Sequence, residues 1–135
     1  MILVIDIDDA GSRVGAIDND GARWFRVPGR DAFAVLGKAI NKALNPSAIV
    51  VTQTKPGSGR KATWSVIRSA IAESNALSFA FGVPVADVQV TGVETDEELA
   101  TLARSAAAQA KKQLIAPSYS GEPNITKPRD AVRGQ

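Results

Sequence analysis

The order of the elements predicted between Ala48 and Val90 constrains the fold more than any other feature of this sequence. The apolar run Ile49 to Val51 predicts a short buried strand, and the glycine-rich basic loop Gln53 to Lys61 follows it. A long helix is predicted from about Thr63 to Phe81, and Gly82 and Pro84 are expected to end it. Val85 to Val90 then predicts another strand. A strand, a helix and a strand in succession are typical of α/β folds.

The beginning of the chain predicts three antiparallel strands. Ile2 to Ile7 is almost continuously apolar, which suits a central buried strand, and residues 8–11 supply a turn after it. Arg13 to Ile17 predicts a second strand. An Asn-Asp-Gly hairpin signal separates it from Ala22 to Val27, which alternates enough to predict a third.

Two further helices are predicted. Asp31 is a suitable N-cap for a helix over Asp31–Leu44, in which apolar residues recur at helical spacing until an Asn-Pro pair ends it. Residues 95–98 form a capping box for a last helix, from about Asp96 to Leu114. Residues 116–135 contain three prolines and little hydrophobic periodicity, so an extended or disordered tail is predicted there.

The complete order is three strands, a helix, a strand, a helix, a strand and a helix. This order is expected of a ribonuclease H-like unit, which has a mixed five-stranded sheet with helices on its faces and occurs twice in actin-like ATPases. The sequence therefore predicts one ribonuclease H-like domain over residues 1–115. With 135 residues and 44% hydrophobic content, the chain suits one compact domain.

Composition excludes several kinds of chemistry. The chain has no cysteine and no histidine, so it has no disulfide, thiol nucleophile, thiolate metal site or imidazole base. The opening apolar residues run directly into aspartates, without the features of a signal peptide, and no apolar run is long enough to span a membrane. We expect a soluble cytoplasmic protein.

Four basic residues, Lys55, Arg60, Lys61 and Arg68, gather near the central loop. Such a cluster could meet a phosphate or an acidic partner surface. The pattern favours a solvated face instead, and it gives only weak support for nucleic-acid binding by this chain alone.

The helix predicted over Thr63 to Phe81 is apolar on more than one face. One stripe suits a core contact: Ile67, Ala70, Ile71 and Leu77. A second apolar group lies on a different side of the helix from this stripe: Ala72, Ala76, Phe79 and Ala80. This pattern predicts a second contact surface, although a helix enclosed within its own domain would show the same pattern.

Several short segments resemble one family. Ile2 to Asp8 is similar to an opening strand that ends in Asp-Thr-Ser, and Thr63 to Arg68 is similar to a Ser-Phe-Thr-x-Leu-Arg run. Gly82 to Val85 resembles a Gly-Ile-Pro-Leu turn at the same spacing, and Pro117 to Pro123 resembles a Pro-x-Tyr pattern. On these residues the chain resembles the TsaB (YeaZ) family, bacterial proteins needed to make threonylcarbamoyl-adenosine in transfer RNA. The resemblance covers about residues 1 to 95, one of the two subdomains of typical members.

The resemblance implies a noncatalytic scaffold that needs no cofactor. Such a protein pairs with the catalytic subunit TsaD through helices of the first subdomain, with the ATPase TsaE joining the assembly, and the same helices would serve a homodimer. The residues expected at this interface are Phe33, Leu36 and Ile40 on the first predicted helix and Ala72, Ala76 and Phe79 on the second. A candidate anion or partner loop comprises Lys61, Thr63, Trp64, Ser65 and Arg68.

The chain departs from the family in two places. Asp6-Ile7-Asp8 stands where the family has Asp-Thr-Ser, so the hydroxyls that could contact a phosphate are missing. The loop of residues 55–61 is longer than the family's Gly-Pro-Gly. This loop also lacks the spacing of a phosphate-binding P-loop, because arginine precedes Lys61 and alanine follows it.

The alternative is a small ribonuclease H-like hydrolase dependent on a metal or a nucleotide, with Asp6 and Asp8 as ligands. The sequence offers too few further carboxylates for two metal ions. A solvated strand end and turn is therefore favoured for Asp6, Asp8 and Asp9.

Of the two tryptophans, Trp24 is predicted to pack in the core or on the sheet face, and Trp64 suits either an interface or a contact that holds the loop to the domain.

Overall fold

The structure of the protein, a computed structural model, describes residues 1–28, Gly37 and residues 45–117. Its elements are β1 (Ile2–Ile7), β2 (Gly11–Asp18), β3 (Gly21–Pro28), β4 (Ala48–Thr54), α1 (Trp64–Phe81), β5 (Val85–Val90) and α2 (Asp96–Ala108). These confirm the five predicted strands and the last two predicted helices. The helix predicted over Asp31–Leu44 and the tail after Pro117 lie outside the described residues, apart from Gly37.

The strands form one mixed five-stranded sheet in the order β3-β2-β1-β4-β5. β1 is central and pairs antiparallel with β2 and parallel with β4, so Ile5 lies opposite Val14 on one side and Val51 on the other. The outer pairs are antiparallel β2 with β3 and parallel β4 with β5. This confirms that the apolar run at the start of the chain is a central strand.

The core has two layers, one on each face of the sheet. Side chains alternate along a strand, so Leu3, Ile5 and Ile7 of β1 pack on the face covered by α1, whereas Val4 packs on the face covered by α2. All seven residues of β4 are buried. Burial on both faces explains why residues 2–5 of β1 and 48–51 of β4 are continuous apolar runs and not alternating ones.

Trp24 lies half-buried on the α2 face of the sheet, as predicted, and packs against that layer of the core. It crosses directly over Gly15 of β2, where an added Cβ would stand 2.6 Å from the indole ring. The guanidinium of Arg13 lies 5.2 Å from the centre of the same ring, a cation–π arrangement.

Both helices begin close to the predicted positions, and each has a threonine at its N-cap. Thr63 caps α1, and α2 has the full capping box, in which Thr95 Oγ1 accepts from Glu98 N at 3.1 Å and Glu98 Oε1 accepts from Thr95 N at 2.8 Å. α1 ends at Gly82, whose φ of 65° is the left-handed conformation that glycine adopts easily.

The end of α2 corrects the sequence prediction. The helix stops at Ala108 and does not continue to Leu114, because the chain leaves the helix at Gln109 and then crosses to the edge of the sheet. There Val85 N donates to Lys111 O at 3.1 Å. Leu114 consequently lies outside the apolar face of α2 and is 73% exposed. No helix among the described residues is both long enough and apolar enough to cross a membrane.

Candidate functional site

The carboxyl ends of β1 and β4 bring polar side chains together at one edge of the sheet. Because the two strands are parallel neighbours, Asp6 and Thr52 lie side by side, and Thr52 Oγ1 donates to Asp6 Oδ1 at 2.7 Å. Asp8 begins the turn into β2, and its Oδ1 accepts from Ala10 N at 2.8 Å and Gly11 N at 3.2 Å. The predicted turn role of Asp8 is thereby confirmed.

Arg60 reaches this edge from the loop between β4 and α1. Its Nη2 donates to Asp6 Oδ1 at 2.6 Å and to the Ile7 carbonyl at 3.1 Å, and its side chain is only 3% exposed. The backbone of Gly92, at a φ of 94°, covers its aliphatic part so closely that an added Cβ would lie 3.0 Å from Arg60 Cγ. The prediction of a solvated basic face is wrong for Arg60, whereas Lys61 and Arg68 are exposed.

Arg13 of β2 holds the other oxygen of Asp6. Its Nε and Nη2 donate to Asp6 Oδ2 at 3.0 Å and 2.8 Å, and its Nη1 donates to Asp96 Oδ1 at 2.8 Å. Arg26 of β3 also donates to Asp96. The Asp6 side chain is 12% exposed, so the prediction that it forms part of a solvated strand end is wrong. We call the following residues the charged cluster: Asp6, Asp8, Arg13, Arg26, Arg60 and Asp96.

Two carboxylates in this region, Asp96 of the cluster and the nearby Glu94, have lowered pKa values. Burial raises the pKa of Asp96, but hydrogen bonds from Arg26 and Arg13 outweigh this effect and hold the pKa below its ordinary value. Burial likewise opposes ionisation of Glu94, and hydrogen bonds from the Thr91 and Gly92 amides and the Thr91 hydroxyl lower its pKa overall. Both carboxylates therefore favour the charged form in the folded protein.

The site does not fit the two metal ions of a ribonuclease H-like hydrolase. Both oxygens of Asp6 accept from arginines, and those guanidiniums stand where a cation would bind. Within the described ranges, no group of three or more carboxylates is arranged to hold a metal ion.

Two open cavities of about 400 and 510 Å³ flank the cluster and share Asp8, Ala10 and Gly92 in their walls.

The start of α1 is occupied by a carboxylate of this same chain. Asp9 Oδ1 accepts from Thr63 N at 2.8 Å, and Asp9 N donates to the Lys61 carbonyl at 2.9 Å. The Asp9 carboxylate thus lies beside the N-cap of α1, near the positive end of the helix dipole. Of the predicted loop residues, Ser65 and Arg68 are exposed together with Lys61, while Thr63 and Trp64 are partly buried.

The second candidate site is the outer face of α1. Its exposed residues are Ser65, Arg68, Ser69, Ala72, Ala76, Phe79 and Ala80. Arg68 is the sole charged residue in this set, and Phe79 is 88% exposed. The outer face of α2 differs, since it carries Glu97, Glu98 and Arg104. The other three residues predicted for the interface, Phe33, Leu36 and Ile40, lie outside the described residues.

A shallow groove continues this face beyond the end of α1. It has a volume of about 400 Å³, and its lining includes Phe79, Val83, Lys112 and Leu114. Phe79 and Leu114 are among the most exposed large apolar side chains of the described residues. The apolar surface on this side of the molecule therefore extends from α1 into the groove.

Comparison with known proteins agrees with this geometry at the level of the fold. No protein-family model and no curated protein matches the sequence. Solved structures do match: YeaZ from Pseudomonas aeruginosa has a TM-score of 0.54 and 16% identity over 65% of this chain and 43% of its own. An uncharacterized protein with similarity to peptidase YEAZ from Pseudomonas aeruginosa has a TM-score of 0.52 and 18% identity over 65% and 42%. The likeness is one of fold. It spans less than half of each of those chains.

Sequence reasoning missed the charged cluster. Asp6 and Arg60 are 54 positions apart, and nothing local marks their contact. The one available signal is the excess of aspartates around Arg13 near the start of the chain, because buried arginines are usually paired with carboxylates.

Proposed function

We propose that this chain is a noncatalytic scaffold of the TsaB type with a ribonuclease H-like domain. It pairs through the outer face of α1 with a TsaD-like catalytic subunit that makes threonylcarbamoyl-adenosine in transfer RNA. A TsaE-like ATPase joins that assembly, and the chain forms a homodimer through the same face when alone. Its contact with transfer RNA is indirect, and its place of action is the cytoplasm.

The observation that carries this proposal is the composition of the outer face of α1. Exposed helix surfaces normally carry several charges, as α2 does, because charged side chains are well solvated. The outer face of α1 has small residues at Ala72 and Ala76, which allow another helix to approach closely, and a large exposed apolar ring at Phe79. Such a combination suits burial against a partner helix.

Two further observations support a scaffold. The fold is shared with YeaZ from Pseudomonas aeruginosa, and Asp6, the strand-end acid best placed for metal chemistry, is neutralised by Arg13 and Arg60. A contact between helices needs no histidine side chain, and this chain has no histidine.

The experiment is light scattering coupled to size-exclusion chromatography. The wild-type protein is measured alone and mixed with the TsaD-like subunit from the same source, with and without the TsaE-like ATPase and ATP. We expect a mixed complex of defined mass, and a dimer when the chain is alone. Independent elution under every condition would contradict the proposal and reduce the resemblance to one of fold.

A further inference from the structure

We propose that Arg60 is a built-in cation that takes the place of a divalent metal ion at the carboxyl end of β1. The site around it is then a metal-independent support of the fold, and removal of the guanidinium converts it into a site for a divalent cation such as Mn²⁺ or Ca²⁺. This inference is independent of the proposed pairing through α1, because the charged cluster and the outer face of α1 involve different residues.

The first argument is the set of atoms around the guanidinium. Arg60 Nη2 lies 2.6 Å from Asp6 Oδ1, 3.1 Å from the Ile7 carbonyl oxygen and 3.4 Å from Thr52 Oγ1. Arg60 Nε lies 3.5 Å from Asp8 Oδ2. Two carboxylates, a backbone carbonyl and a hydroxyl are the oxygen ligands that hard divalent cations prefer. A cationic group of this chain already occupies the centre of that set.

The second argument is burial. The side chain of Arg60 is 3% exposed and that of Asp6 is 12% exposed, so both charges have lost most of their contact with water. A buried charge is stable only when it is paired, and removal of one partner leaves the other uncompensated. Arg13 compensates one oxygen of Asp6. Loss of Arg60 would leave Asp6 Oδ1 and the Asp8 carboxylate without the cation that both contact.

The third argument is access. The cavity of about 510 Å³ is lined by Arg60 together with Asp8 and Gly92. Truncation of the arginine would open its place directly to this cavity, through which a hydrated ion can enter. The wild-type chain has no room there, because Gly92 packs on the aliphatic part of Arg60.

The test compares the thermal unfolding of the wild type, Arg60→Ala and Arg60→Lys, each with EDTA or with Mn²⁺ or Ca²⁺ at concentrations up to about 10 mM. We expect Arg60→Ala to have a lower Tm than the wild type in EDTA and to regain several degrees with either ion. The wild type and Arg60→Lys, which keep a cation at the site, should not respond. Arg68→Ala, which removes an exposed arginine, should behave as the wild type.

Two controls separate the site from general ion effects. Adding Asp6→Asn to Arg60→Ala should abolish the response to divalent ions, because a principal ligand is lost. In nuclear magnetic resonance spectra of the wild type, Mn²⁺ should leave the amide signals of Asp6, Asp8 and Gly92 unbroadened. If Arg60→Ala is unfolded in EDTA, we expect the divalent ions to restore its folded spectrum.

Three results would overturn the inference. The first is selective broadening of those amides by Mn²⁺ in the wild type. The second is an Arg60→Ala variant that is folded and gains no stability from divalent ions. The third is an unfolded Arg60→Ala variant that the ions do not restore. None of these results bears on complex formation through α1, so the failure of this inference is distinguishable from the failure of the proposed function.

Discussion

At the scale of single residues, the carboxylate of Asp6 organises one end of the molecule. Arg13 binds one of its oxygens and Arg60 binds the other, so β1 is joined to β2 and to the loop before α1. Arg13 also donates a hydrogen bond to Asp96, and this contact joins β1 and β2 to the start of α2. Charge-assisted hydrogen bonds with little exposure to water are the stronger class of polar contact. This edge of the sheet is therefore held by ion pairs in addition to apolar packing.

The contribution of Asp96 can be measured through pH. Its pKa is lowered in the folded protein, so its ionised form stabilises the fold above its unfolded pKa of about 4, and this stabilisation is lost as the pH falls through the lower folded value. We expect Asp96→Asn to reduce the free energy of unfolding at neutral pH by about 1–2 kcal/mol. The variant should also lose less stability than the wild type on acidification.

Urea unfolding at pH 7, 5 and 3 measures both effects. Glu97→Gln is the matched control, because it removes an exposed charge from the same first turn of α2. Equal stability of Asp96→Asn and Glu97→Gln at neutral pH would show that the arginine contacts of Asp96 add nothing beyond its charge near the helix start.

At the scale of elements, the helices show how far local pattern determines structure. The periodicity of α1 separates its buried stripe, which includes Ile67 and Ile71, from its exposed residues Ala72, Ala76 and Phe79, and the structure has the same division. The capping box of α2 was also predictable, since it depends on residues three positions apart. The end of α2 could not be predicted from local pattern. The alanine-rich sequence favours a longer helix, but the pairing of Lys111 with Val85 overrides this helix propensity.

The capping box of α2 leads to a second prediction. Thr95→Ala removes the hydroxyl that accepts from Glu98 N and should lower the free energy of unfolding by about 1 kcal/mol. Thr101→Ala is the control, because Thr101 lies exposed in the middle of the same helix, where alanine has the higher helix propensity. Denaturant unfolding of both variants is the measurement. A Thr95→Ala variant as stable as Thr101→Ala would contradict the role given to the cap.

At the scale of the whole molecule, the sequence predicted the sheet and the exposed apolar face but not the charged cluster. The strands and helices follow from periodicity along the chain, which is a local property. The contacts of Asp6 with Arg13 and Arg60 join three separate parts of the chain, and the basic loop that contains Arg60 has the composition of a solvated segment. Its packing under Gly92 and its ion pair with Asp6 distinguish Arg60 from its exposed neighbour Lys61.

We propose that the outer face of α1 binds a partner helix, and a pair of glutamate substitutions tests this claim. Ala76→Glu places a charge at the middle of this face, and Ser105→Glu places the same charge on the exposed face of α2. A charge buried without a partner in an interface is costly, whereas a solvated charge is not.

Each variant and the wild type would be mixed with the TsaD-like subunit and measured by light scattering, after circular dichroism has established that they are folded. We predict a mixed complex for the wild type and Ser105→Glu, and separate elution for a folded Ala76→Glu. A complex formed equally well by Ala76→Glu, or an Ala76→Glu variant that is unfolded because Ala76 belongs to the core, would contradict the claim.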